Sequence, residues 1–232
     1  MNQTVLITGG NKGIGLEVTR QLLQLNYNII VIARDFKDFE FKNNSNVKQI
    51  EFDLSKTEDI PSLISSLDNI DILINNAGIM YSIPYNKYTT KQQSDIMKLN
   101  LYTPIKLIEE VSKVMLNNTH SRIVNNASIA GQIGHPDIWY GMSKAALINA
   151  TKSFSKIFEG KIIINTVAPS PVETDMLNTI PKARREAFLN TVITKRFATA
   201  KEIAKTIVWL ATDSPKYING SCIDINNGSF PR

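Results

Sequence analysis

Apolar residues in this chain fall in short, nearly unbroken runs, separated by longer stretches whose apolar positions recur at helical spacing. Val5–Thr8, Ile29–Ala33, Val47–Phe52, Ile70–Asn75, Arg122–Ala127, Lys161–Val167 and Ser221–Ile225 read as seven strands. Several are apolar at successive positions, which suits parallel strands covered on both faces. Helical stretches lie between them: about Gly13 to Leu25, Lys56–Leu67, one opened by Thr103-Pro104 and closed by Asn117-Asn118, about Trp139 to Phe158, and Lys201–Thr212. Proline is tolerated in a first helical turn, and Thr199 with Glu202 three residues on forms a capping-box pattern. Such alternation predicts right-handed βαβ units, hence an open, doubly wound α/β sheet with helices on both faces. Residues 1–232 read as a single domain without repeats or linkers. Asp35 to Asn46 is polar and irregular, and the segment 172–199, with Pro181 and the polar run Lys182 to Glu186, reads as a surface helix–loop serving as a lid.

Thr8-Gly9-Gly10-Asn11-Lys12-Gly13-Ile14-Gly15 follows the first strand and opens the first helix. A helix N-terminus presents unpaired N–H groups at the positive end of its dipole, where a pyrophosphate can sit, and glycines let backbone approach it. Taken alone, the cluster is equally explained by the sterics of a tight turn. Two further signals change its weight. Tyr140-Gly-Met-Ser-Lys144 places a phenol and an ammonium four residues apart, on one face of a helix, and Ser128 lies at the end of a strand.

Together these residues resemble the short-chain dehydrogenase/reductase family, in its classical branch. The resemblance runs through Asp53, Asn75-Asn76-Ala77-Gly78, Asn100, Ser128, Tyr140 and Lys144 to Asn165–Thr174 and the Gly220–Gly228 tail. It implies seven parallel strands in a Rossmann-type domain and hydride transfer between a nicotinamide nucleotide and a carbonyl or alcohol. Tyr140 would act as general acid/base, Ser128 would bind the substrate oxygen, and Lys144 would lower the phenol pKa and hold the nicotinamide ribose. Asn100 would position a proton-relay water, or satisfy backbone at a helix irregularity. Cofactor contacts are implied for Gly9, Asn11, Lys12, Gly13, Ile14 and Gly15, for Asp53 and Leu54, and for Asn76, Ala77 and Gly78. Pro169, Val172 and Thr174 would hold the carboxamide. Two motifs depart from the family: its Pro-Gly is Pro169-Ser170, and its Asp-Gly-Gly reads Asn226-Asn227-Gly228.

Charge selects among cofactors. An NAD site places an acid at the end of the second strand to hold the ribose 2′-hydroxyl. Here that position is Ala33, followed by Arg34, with Lys12 in the glycine turn. An arginine fork binds a 2′-phosphate that a carboxylate would repel, so NADP(H) is expected. Asp35, one residue on, leaves NAD(H) open.

The formal charge is +5, but Lys and Arg are spread along the chain instead of forming a stripe, so nucleic acid is not an expected partner. No apolar run suits a membrane span, and the first strand leaves no room for a signal peptide, so a cytoplasmic location is expected. The one cysteine, Cys222, reads as a small core side chain. His120 and His135 have no partners at metal-ligand spacing, and His135 reads as a loop residue near the substrate entrance. The expected activity is NADPH-dependent reduction of a ketone, aldehyde or 3-oxoacyl thioester. Its alternatives are an NAD(P)+-dependent alcohol or sugar dehydrogenase and a cofactor-binding regulator without turnover. Ile79–Pro84, Gln132–Trp139 and the lid should line the substrate pocket, with Tyr81, Ile138, Trp139 and Met176 as apolar walls. Lys182, Arg184, Arg185, Lys195 and Arg196 would form a basic rim for an acyl carrier. Long fourth- and fifth-crossover helices imply a homotetramer or homodimer.

Overall fold

A computed structural model describes residues 3–231. The chain runs β1 (Thr4–Thr8), α1 (Gly13–Gln24), β2 (Asn28–Ala33), β3 (Val47–Glu51), α2 (Ile60–Ser65), β4 (Ile72–Asn75), α3 (Thr90–Met97), α4 (Thr103–Met115) and β5 (Ser121–Asn126). It continues α5 (Ile138–Ile157), β6 (Ile162–Pro169), β7 (Val172–Glu173), α6 (Lys182–Thr191), β8 (Ala198–Thr199), α7 (Ala200–Thr212) and β9 (Cys222–Ile225). Seven strands form one parallel sheet in the order β3-β2-β1-β4-β5-β6-β9, while β7 and β8 pair separately. This is the doubly wound Rossmann arrangement the sequence predicts.

Alternation within each strand explains the two covered faces. Val5, Ile7, Val31, Ile72 and Val124 point into a core closed by Val18 and Leu22 of α1 and by Ile203 and Ile207 of α7. Leu6, Ile32, Leu73 and Ile123 point the other way, against Ile60 of α2, Leu107 and Val111 of α4, and Phe158. Both sides of a central strand such as β1 are therefore dry, which is why it reads as a continuous apolar run.

Two helical boundaries differ from expectation. The helix expected over Lys56–Leu67 is a 3-10 turn, Thr57–Asp59, followed by the short α2. Thr103-Pro104 does not open a helix. The chain is already helical from Thr90, where Thr89 and Gln92 form a full capping box, and it passes through a π-turn, Lys98–Tyr102, into α4. Pro104 has no N–H for the carbonyl four residues back, that of Asn100, and the wider π spacing relieves the clash. The lid carries its own helix, α6, none of whose residues is buried, so its polar sequence gives no amphipathic signal. Thr199 and Glu202 do cap α7 reciprocally. Cys222 is half-buried, not fully in the core. No described helix is long and apolar enough to cross a membrane.

Candidate active site

The carboxyl ends of β1, β2, β4, β5 and β6 open onto one cleft of about 920 Å³. It lies where chain connections leave β1 in opposite directions, the usual ligand position in open α/β sheets. Gly9, Asn11, Lys12, Gly13 and Ile14 line it beside Arg34, Asp53, Leu54, Asn76, Ala77 and Gly78. Ser128, Tyr140, Lys144, Pro169, Val172 and Thr174 line it too. Gly15 and Asn100 stand behind the surface instead.

Backbone shape and close packing form the glycine turn. Gly9 and Gly13 take left-handed backbone, with φ of +64° and +54°. A Cβ on Gly15 would lie 2.0 Å from the Gly9 carbonyl oxygen, so Gly15 serves the packing of helix on turn and not a ligand directly. At the mouth of α1, Lys12 is extended and makes no side-chain cap, and the first turn holds no acid. The helices α3 and α7 both carry capping boxes. The free N–H groups of α1 therefore fit a pyrophosphate.

Lys12 and Arg34 are exposed on this cleft and form no ion pair among the described residues. Asn11 donates to the Asp35 carbonyl at 3.0 Å, tying the turn to the end of β2. Asp53 caps a turn at the wall of the cleft, its carboxylate accepting the Ser55 N–H at 3.0 Å. That hydrogen bond, with help from the nearby Arg34 and Lys56 charges, holds its pKa below the usual carboxylate range.

At the other end of the cleft Tyr140 and Lys144 are both buried in α5. The Lys144 ammonium donates to the Asn126 carbonyl at 2.8 Å and sits 5.7 Å from the centre of the Tyr140 ring. Burial pushes the phenol up to about 12, against the opposing pull of the Ser128 hydroxyl, and Asp137 raises it further. Burial also pushes Lys144 down to about 8. The expected lowering of the phenol by the lysine is not seen: burial sets the direction of the shift, and the group that lowers it is the Ser128 hydroxyl. Ser128 accepts the Ala130 N–H at 3.1 Å and donates to the Pro169 carbonyl at 3.4 Å, which fixes its hydroxyl at the end of β5.

Asn100 sits in the π-turn and commits its amide to backbone, accepting the Ile79 N–H and donating to the Ile79 carbonyl, both at 2.9 Å. A Cβ on Gly78 would come within 3.2 Å of the Asn100 carboxamide oxygen and 3.5 Å of the lysine nitrogen, so glycine there lets the three converge. Thr174 closes over the glycine turn from the opposite side, its methyl 3.4 Å from where a Gly13 Cβ would be. Both motif departures have ordinary local partners or backbone. The Ser170 N–H pairs with Ile225 at 3.0 Å, and Asn227 takes the left-handed backbone that asparagine tolerates, φ +47°.

Sequence reasoning does not single out Asp137, which stands behind the cleft wall, whereas His135 lines the cleft as expected of a residue near the substrate entrance. Asp137 is fully buried, caps α5 through the Tyr140 N–H at 3.0 Å, and accepts the Ser82 N–H at 3.2 Å. An acidic residue three positions before Tyr140 is an N-cap signal, two residues ahead of where the helix reads as beginning. The His135 ring centre lies 5.8 Å from that of Tyr140. Tyr81 and Met176 line the cleft as expected, whereas Ile138 and Trp139 do not.

The family model described as Enoyl-(Acyl carrier protein) reductase matches residues 9–229. A 3-oxoacyl-[acyl-carrier-protein] reductase FabG of Staphylococcus epidermidis is 30% identical over 99% of this chain and 100% of its own length. One from Rickettsia felis is 31% identical over 97% and 96%. Among solved structures, ElxO with NADP bound superposes with a TM-score of 0.88 at 27% identity, covering 99% of both chains. A 4-hydroxyisoleucine dehydrogenase complexed with NADH gives 0.91 at 28% identity, covering 98% of both.

Proposed function

Because the chain belongs to the short-chain dehydrogenase/reductase family, in its classical branch, and is an oxidoreductase of that class, we propose that it reduces a carbonyl to an alcohol with NADPH. The observation that carries this reading is a single cleft with a protonated, buried phenol at one end and two unpaired cations at the other. Lys12 and Arg34 suit a 2′-phosphate, and the N-terminus of α1 suits the pyrophosphate. The NADP-bound neighbour supports that choice, and the charge pattern favours it over the NADH of the other.

When bound, reduced nicotinamide supplies the hydride. Tyr140 donates its proton to the carbonyl oxygen as charge develops there, and Ser128 donates a hydrogen bond to the same oxygen. A phenol held at about 12 is fully protonated at neutral pH, which suits the reductive direction. The charge on Lys144, whose ammonium is held on the Asn126 carbonyl, would stabilise the phenolate left after transfer and would hold the nicotinamide ribose. Glycine at position 78 leaves room for that ammonium, which lies 3.5 Å from where a Cβ would stand. Ketones, aldehydes and 3-oxoacyl thioesters are the substrate classes this chemistry accepts.

Tyr140→Phe tests the mechanism. It removes only the hydroxyl, so NADPH binding followed by nucleotide fluorescence should persist while turnover on an accepted carbonyl falls by about 10²-fold or more. Normal binding with unchanged turnover would place the acid elsewhere.

A further inference from the structure

We infer that the substrate bears a carboxylate a few bonds from its reacting carbonyl, and that Arg184, steadied by His135, holds it. This rests on the carbonyl-reductase reading above. Of the basic residues on the lid, Lys182 pairs with Glu186, Arg196 forks onto Glu202, and Lys195 donates to the Asn190 carbonyl. Arg185 also lines the cleft without an ion pair among the described residues, but Arg184 in addition meets His135. Arg184 lies in the first turn of α6, faces the cleft half-buried, and pairs with no carboxylate among the described residues.

Its guanidinium contacts Nε2 of His135 at 3.2 Å. Guanidinium has no acceptor, so it must donate and Nε2 must carry no proton. The proton then sits on Nδ1, which donates to the Asp137 carbonyl at 3.2 Å and therefore does not accept the Asp137 N–H that lies equally close. Burial lowers the pKa of His135, and the Arg184 charge lowers it further, in keeping with a neutral ring. The arginine therefore keeps its full charge beside a neutral partner.

Asp95 and Asp137 on this side of the cleft are already satisfied, while Asp175 and Arg185 also line it without an ion pair among the described residues. Asp95 is bound by Lys91 at 2.6 Å and by the Tyr81 hydroxyl at 3.2 Å, and Asp137 is enclosed by N–H donors. With Met176, Ile180 and Phe188 as neighbouring apolar walls, a guanidinium with free donors is matched to a bidentate anion. Reach selects which anion. Arg184 stands one imidazole ring beyond Tyr140, close to the reacting carbon. The phosphate on a carrier's pantetheine arm lies many bonds from its thioester carbonyl, so a carboxylate of the substrate itself fits better.

The test uses acetoacetate and levulinate, each beside its methyl ester, with an uncharged N-acetylcysteamine 3-oxoacyl thioester as the carrier-type arm. Wild-type kcat/KM with NADPH should favour an acid over its ester by about ten- to a hundredfold. In Arg184→Met that ratio should collapse toward one, through KM, and Arg184→Lys should recover part of it. Equal wild-type use of acid and ester, or preference for the thioester, overturns the carboxylate site while leaving the reductase reading intact. If no carbonyl is turned over, the reductase reading fails separately. A second measurement still decides the site: 3-hydroxybutyrate titrated into NADP+-loaded protein should bind, and Arg184→Met should weaken it about ten- to a hundredfold. No binding, or binding indifferent to Arg184, overturns the inference.

Discussion

Lys144→Met should make the protein more stable and inactive at once. In the folded chain the ammonium is buried, and its pKa falls from an ordinary 10.5 to about 8. That difference amounts to on the order of 3 kcal/mol by which burial disfavours the charged form. Methionine fills similar space without charge, but it forfeits the hydrogen bond to the Asn126 carbonyl, worth about 1 kcal/mol. The expected net gain at neutral pH is on the order of 2 kcal/mol, a rise in Tm of about 4–8 °C for a domain of this size.

The pH dependence carries the sign. A base with a depressed folded pKa destabilises the fold fully below about 8, where both states are protonated. Between about 8 and 10.5 the unfolded chain binds the extra proton, so wild-type stability rises with pH relative to the variant. The advantage of the variant should shrink across that window and reverse above it, where the wild type keeps its amine–carbonyl bond. Thermal unfolding of both proteins without added nucleotide, from neutral to alkaline pH, measures this. A variant less stable at neutral pH, or a gap that ignores pH, would refute the reasoning.

Arg34→Ala should weaken NADPH by about ten- to a hundredfold and NADH little, the worth of one charge-assisted contact to the 2′-phosphate. Equal losses by fluorescence titration would remove Arg34 from that role. Light scattering at micromolar concentration should give a mass of two or four chains, with α4 and α5 at the interfaces; a mass near 26.0 kDa would contradict the oligomer.

What was legible in the sequence is what local chemistry encodes. The run Val5–Thr8, the glycine turn and the Tyr140/Lys144 spacing each specify their own geometry within a few residues. Pro104 misleads because a proline suits both the first turn of a helix and the exit from a π-turn, and the chain before it is too polar to show the helix it continues. Asp137 was present as an N-cap signal, but the value of its burial depends on Ser82, far away in sequence. The meeting of His135 and Arg184 has no local trace at all. It joins residues 49 apart on two segments that only the folded sheet brings together.

The two halves of the cleft are not independent, and the connection runs through strand ends instead of mobile loops. Asn76 donates to the Thr8 and Gly9 carbonyls, each at 3.1 Å, and Asn126 donates to the Asn76 oxygen at 3.0 Å. Lys144 then donates to the Asn126 carbonyl. One hydrogen-bonded path therefore leads from the turn beneath the pyrophosphate position to the ammonium beside the phenol. A layer deeper, Asn75 donates to Asn125 at 2.8 Å and Asn125 to Thr151 at 2.9 Å, bracing β4, β5 and α5 in the same register. Such buried networks strengthen as they polarise one another and leave few alternative arrangements. They hold an uncomfortable charge in place for the reaction, and relaxing it in Lys144→Met should recover stability at the expense of chemistry.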